Sequence, residues 1–238
     1  PAGRRAFASA KVVYELQASP YLDGTEPEIA DLLYPFALAF RWGAPAGPAG
    51  QPSEPALAAA VGEFRDRLAG IFPLRVERAA RAIATSFEVI RRTPVIEVYL
   101  NDSPRDENHA AALAPPWRSV PWHVLALMEE AVARGLAAFS EQESLRRKVP
   151  WLDLVRDGDL RPKLAELIAD FERRQFRPDA LKDLVGADEA ERRWRALREF
   201  GEKNGHFLVT SGPYQLDSWS ADVVTLRAVR EASYPLGF

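Results

Sequence analysis

Hydrophobic positions along this chain change period several times, and each change marks an element. Residues 11–17, "KVVYELQ", alternate, with Val12, Tyr14 and Leu16 on one face and Val13 and Glu15 on the other, as in a strand. Asp23-Gly24 is a turn signal. Ile29, Leu32, Leu33, Phe36, Leu38 and Phe40 then follow helical spacing, with Pro35 inside the run, where a proline should kink the helix or open a new first turn. Residues 43–55, "GAPAGPAGQPSEP", have no period and read as a flexible Pro/Gly loop. Ser53 can cap a helix whose face is Leu57, Val61, Phe64 and Leu68, with Gly70 as its stop.

Between 72 and 102 the period shortens. Strand material falls at 72–76, 86–90 and 94–100; "TPVIEVYL" is the clearest, while "VERAARAIA" also fits a helix. Helical patterns dominate 105–203. One helix starts near Ser119 with Leu125, Met128, Val132, Leu136 and Phe139 on one face. A second carries Leu160, Leu164, Leu167, Ile168 and Phe171, and a third runs from about Asp188 to Lys203 with Ala190, Trp194, Leu197 and Phe200 inward and Asn204-Gly205 as its stop. Strands return at 206–210, 213–219 and 223–229, and the short link "SAD" predicts that the last two pair as a hairpin. The mixture is α/β in the broad sense, mixed α+β, with a large helical block between strand-bearing ends.

Composition narrows the function classes. The 238 residues carry a net charge of −3, with no basic stripe of the kind a nucleic-acid partner requires. There is no cysteine, which removes disulfides and thiolate chemistry. No apolar run approaches the roughly 20 residues that span a bilayer, so the chain is not itself membrane-spanning.

Candidate chemistry is sparse. His109, His123 and His206 are far apart and belong to no metal-ligand spacing, so no metal or cofactor is expected. Phosphate-loop and nucleophile-elbow patterns are missing, and Ser211-Gly212 fails the latter because Thr210 precedes it. Loop acids such as Asp102, Asp106, Asp153, Asp157 and Asp159 could serve a hydrolase only if two faced one cleft; as isolated positions they read as solvated. "ERRWRALR" (191–198) reads as a mixed-charge, solvated helix face. Trp42, Trp117, Trp122, Trp151 and Trp219 lie near element ends, where rings grip a ligand or close the edge of a core.

Two segments together carry a resemblance. Asp23-Gly24-Thr25 is followed by Asp31-Leu32-Leu33-Tyr34 and Phe36; Thr210-Ser211-Gly212-Pro213-Tyr214 is followed by Leu216, Trp219, Val223, Val224 and Leu226. The pair resembles the "DGTPVTAEDVVYSF" and "GTGPYKLVSW" segments of extracellular solute-binding proteins of family 5, the peptide-, oligopeptide- and nickel-binding components of ABC importers, and the order is the family's. Departures are Glu26 for the usual Pro, Thr210-Ser211 for Gly-Thr, and an ending that keeps only Tyr234. The helical block at 105–203 matches no family motif and makes the interval longer than usual.

The resemblance implies one lobe of a two-lobed, periplasmic-binding-protein-like fold that closes on its ligand by hinge motion. On that reading residues 1–238 are a single domain, part of the first lobe, cut where the natural chain would cross to the second. It implies a periplasmic or extracytoplasmic receptor for a small molecule, a peptide above all, that docks on a membrane permease and performs no catalysis. Lining residues are not fixed by motif; Tyr214, Trp219 and Trp42 are the candidates from position and ring chemistry. Alternatives are a hydrolase using loop carboxylates near Asp102 and Asp153, or a helical protein-interaction domain with an apolar groove along the 119–139 helix.

Overall fold

A three-stranded antiparallel sheet lies at one end of the molecule and a helical core at the other. The computed structural model describes residues 7–15, 19–43, 54–84, 87–113 and 120–229, with the backbone alone for 78–84 and 87–92. Among the described residues the chain is mixed α+β, with seven α-helices and two small antiparallel sheets. The expected cap at Ser53, most of the 43–55 loop, the expected helix start at Ser119, and Trp117 lie outside the described residues.

The sheet contains β1 (Ala10–Glu15), β2 (Leu68–Ala84) and β3 (Phe87–Leu100), in the order β1-β3-β2. β1 pairs with the end of β3 from Ala10↔Leu100 to Glu15↔Val95, and β2 pairs along the whole of β3. The alternation in "TPVIEVYL" is real: Ile96, Val98 and Leu100 are buried together with Phe36 and Leu68. Pro73 sits in β2, an edge strand, where a missing N–H is tolerated. The "VERAARAIA" segment is strand, not helix; pairing with β3 overrides its helix-favouring composition. Gly70 likewise stops no helix. α2 (Pro55–Arg67) hands over at Leu68, whose backbone is extended, so Gly70 already belongs to β2.

α1 (Ile29–Trp42) runs through Pro35 as one helix. It serves two cores. Ala30, Tyr34 and Trp42 join the helical one, and Phe36 joins the sheet one. A short helix, α3 (Glu107–Leu113), follows the sheet.

The helical core is built from α4 (Trp122–Ala133), α6 (Leu160–Arg174) and α7 (Ala187–Asn204), with α5 (Glu141–Arg147) beside them. The stripes at 160/164/167/168/171 and 190/194/197/200 are buried as their spacing predicts. α4 ends earlier than expected, because Gly135 takes φ +74 and turns the chain; Leu136 and Phe139 still pack on the core from outside the helix. Trp122–Leu127, Ala131 and Val132 are all buried, so the apolar face of α4 is core and not an open groove. α7 stops at Gly205, φ +73.

Residues 207–210 are not a strand; they run as extended connection to the hairpin of β4 (Tyr214–Trp219) and β5 (Val224–Ala228). The hairpin pairs from Tyr214↔Ala228 to Trp219↔Val224 with a bulge after Leu216. No helix among the described residues is long and apolar enough to cross a membrane.

Candidate functional site

The Asp-Gly-Thr turn is held by a dense set of hydrogen bonds. Asp23 Oδ1 accepts from the Thr25 N–H (3.0 Å) and the Thr25 hydroxyl (2.7 Å). Gly24 holds φ +81, which a side chain would strain. Asp23 Oδ2 lies 2.8 Å from His123 Nε2, and both side chains are fully buried. Burial pushes the Asp23 carboxyl up, but the His123 pair and the two Thr25 bonds outweigh it and hold the group below the usual carboxylate range.

Arg193 completes this hub from α7. Its guanidinium donates to Glu189 Oε1 (2.8 Å), Asp31 Oδ2 (3.1 Å), the Thr25 hydroxyl (3.2 Å) and the Glu26 carbonyl. Asp31 in turn accepts from the backbone N–H groups of Trp122 and Glu28, both at 2.8 Å. Burial works against the Arg193 charge, yet Asp31 and Glu189 hold its pKa above the ordinary arginine value. The expectation of a solvated face at 191–198 therefore fails at this position. Arg193 is 1% exposed, because it lies one helical turn from both Ala190 and Leu197 and so belongs to the inward stripe. That offset was the sequence signal for it.

A second buried cluster explains Trp42. The Glu129 carboxylate accepts from Trp42 Nε1 (2.6 Å), Arg41 Nη1 (2.7 Å) and the Tyr34 hydroxyl. Burial and Glu129 push the Tyr34 hydroxyl well above the usual tyrosine pKa. Trp42 is wholly buried and packs edge-on against Phe139 at 5.2 Å, so in this structure it closes a core and offers no surface to a ligand. Tyr214 and Trp219 sit on β4 instead. Tyr214 is exposed, and Trp219 stands edge-on to His206, 6.1 Å away, which in turn meets Phe200. Of the three candidate rings, the two on the hairpin share an element, and Trp42 is in the core. Gln215 Nε2 ties the hairpin to Asn204 at the end of α7 (2.8 Å).

The two motif segments meet. The Leu22 N–H donates to the Thr210 carbonyl at 2.9 Å, and the Ser19 hydroxyl reaches the Ser211 carbonyl at 3.5 Å. On the far side of α1, an open concavity of about 1140 Å³ runs between the helix and the ends of the three strands. Leu33, Phe36 and Phe40 of α1 face Ile71 and Phe72 of β2 across it, with Tyr99 of β3 also lining it. Phe72 is 58% exposed and Phe40 41%, so large apolar surface here meets solvent. Lys11, paired with Glu97 at 2.9 Å, supplies charge at its wall. A concave apolar surface with few polar groups is the usual form of a small-molecule or peptide site.

The loop acids are occupied elsewhere. Asp102 pairs with Arg67 (2.9 Å); Asp153 accepts from Val155 and Arg156 N–H groups and pairs with Arg156 (2.8 Å). Burial raises the Asp153 carboxyl, and those bonds outweigh it and keep the pKa low. Among the described residues no group of three or more metal-ligating side chains comes together.

No protein-family model matches this chain, and no curated protein matches it.

Proposed function

We propose that the chain is part of the solute-binding component of an ABC import system. It would take a peptide or other small solute outside the cytoplasm, between two lobes, and pass it to a membrane permease. The observation that supports this reading is the bond between Leu22 and Thr210. The two segments that resemble the family stand at opposite ends of the sequence, and nothing in their composition requires contact. They lie side by side, so they act as one structural unit.

The arrangement suits a receptor more than a catalyst. The turn at Asp23-Gly24-Thr25 is held by Arg193 and His123, with the Thr210 carbonyl bonded to the neighbouring Leu22, which makes it a fixed base and not a reactive group. The apolar concavity beside α1 offers a wall for ligand side chains, and the β4–β5 hairpin, held by Gln215 and Trp219, is the element next to the expected hinge. In this mechanism binding energy comes from covering Phe40 and Phe72, and selectivity comes from the few polar groups near them.

The test is thermal-shift screening of the full-length gene product against a peptide library, with sugars and nickel in parallel. A ligand at 100 times its Kd should stabilise by about 2.7 kcal/mol. The Phe72→Asp variant should keep the ligand-free melting temperature and lose the shift. Absence of stabilisation by any of these solutes overturns the receptor reading, and an unchanged shift in Phe72→Asp removes the concavity from it.

A further inference from the structure

A second concavity, of about 550 Å³, opens where the C-terminal ends of α1 and α6 meet the 3-10 turn at Asp179–Leu181. Four cations line it: Arg41, Arg174, Arg177 and Lys182. Two carboxylates, Glu130 and Asp179, accompany them in the lining, while Glu129 and Asp170 reach Arg41 and Arg174 from outside it.

Two ordinary explanations absorb only part of such a cluster. Cations often gather at a helix C-terminus to meet its unpaired carbonyls. Here the backbone and a tryptophan meet them: the Gln175 N–H donates to Glu172, the Phe176 N–H to Phe171, and Trp194 Nε1 to the Phe176 carbonyl at 2.8 Å. Internal ion pairing is the other explanation. Arg41 is engaged by buried Glu129, and Arg174 by Asp170 at 2.6 Å. Glu130 is claimed by Arg134 from outside the pocket (3.1 Å), and the Lys182–Asp179 pair is mostly exposed and therefore weak. Arg177 donates to the Val185 carbonyl at 3.1 Å and has no carboxylate partner among the described residues.

We propose that this pocket binds an oxyanionic group carrying two negative charges, a phosphate or a dicarboxylate. The Arg177 guanidinium supplies a planar fork that matches two oxygens, and the Lys182 ammonium supplies a further donor on the rim. The volume falls in the range of small-molecule sites, roughly 300–1,000 Å³. It exceeds a bare oxyanion, and Phe176 and Pro178 line the remainder, so the ligand is an anionic group on a small organic body. This inference does not rest on the receptor reading.

The experiment is isothermal titration of the full chain with inorganic phosphate and, separately, with succinate, at ionic strength fixed by chloride. Saturable one-to-one binding of either anion is expected, and the arm that binds distinguishes phosphoryl from carboxylate recognition. The Arg177→Gln/Lys182→Gln variant should weaken it at least about tenfold, the consequence of losing two charge-assisted bonds, and Arg177→Lys should retain part of the affinity. The double variant should melt within a few degrees of the parent in chloride alone, since Lys182 is exposed and Arg177 holds one carbonyl. Lack of binding by both anions overturns the proposal, and so does equal affinity in parent and double variant.

Discussion

Replacing Arg193 by Met tests whether the buried hub holds the fold together. The substitution keeps an unbranched, apolar stem of similar length and removes only the guanidinium. Asp31 is then left as a buried carboxylate with two backbone N–H donors and no cation. Breaking a buried pair by removing one partner costs about 3–5 kcal/mol, because the remaining charge stays out of water. A protein of this size is stable by about 5–15 kcal/mol, so the loss is a large fraction of the total. In urea, with a slope near 3 kcal/mol/M, the midpoint should fall by about 1–1.7 M. The informative control adds Asp31→Asn. With the charge gone from both sides, the double variant should be more stable than the sum of the single losses predicts, by about 0.5–3 kcal/mol. A midpoint shift under about 0.3 M for Arg193→Met, or strict additivity in the double variant, would refute the assignment of Arg193 and Asp31 to one coupled unit.

Two further outcomes follow from local geometry. Gly201→Ala should destabilise, despite the roughly 1 kcal/mol that alanine gains over glycine in a helix. A Cβ there would stand 2.1 Å from the Phe207 ring, and relieving that overlap costs about 1–3 kcal/mol; urea unfolding reads the sign. His206 should make the protein acid-sensitive. Burial lowers its pKa in the folded state below the ordinary histidine value of 6.5. The unfolded chain therefore takes up a proton first as pH falls, and stability declines as pH drops below about 6.5. His206→Asn, which keeps an acceptor for the Leu208 N–H, should flatten the slope of stability between pH 7 and 5.5; an unchanged slope would show that His206 does not cause it.

The pattern of the sequence reached the core more readily than the site. The inward stripes of α6 and α7 and the alternation of β3 were legible because each rests on a period that burial enforces locally, and the closing hairpin, whose β5 is exposed throughout, was legible from its short turn. Residues 76–84 were not, because their helix-favouring composition is overruled by a partner strand that the segment itself cannot reveal. The choice between a ligand-gripping and a core-closing role for Trp42 was hidden for a related reason. A ring at the end of a helix looks available, and only the fold shows Glu129 and Phe139 waiting beneath it. Asp31 and Arg193 were hidden by distance, since two charges 162 residues apart carry no mark of being partners. The concavities on either side of α1 are formed by several elements each, and no single stretch predicts them.

That separation sets a timetable for synthesis. A ribosome adds about 5–20 residues per second, so Asp31 leaves it roughly ten to thirty seconds before Arg193 exists to neutralise it. Thr210, which clasps the loop at Leu22, arrives later still. Through that interval α1 can coil, but its N-terminal turn cannot be sealed into a dry interior, because the charge it carries has no counterpart. The early segment has to wait, exposing Tyr34 and Trp42 to the cell.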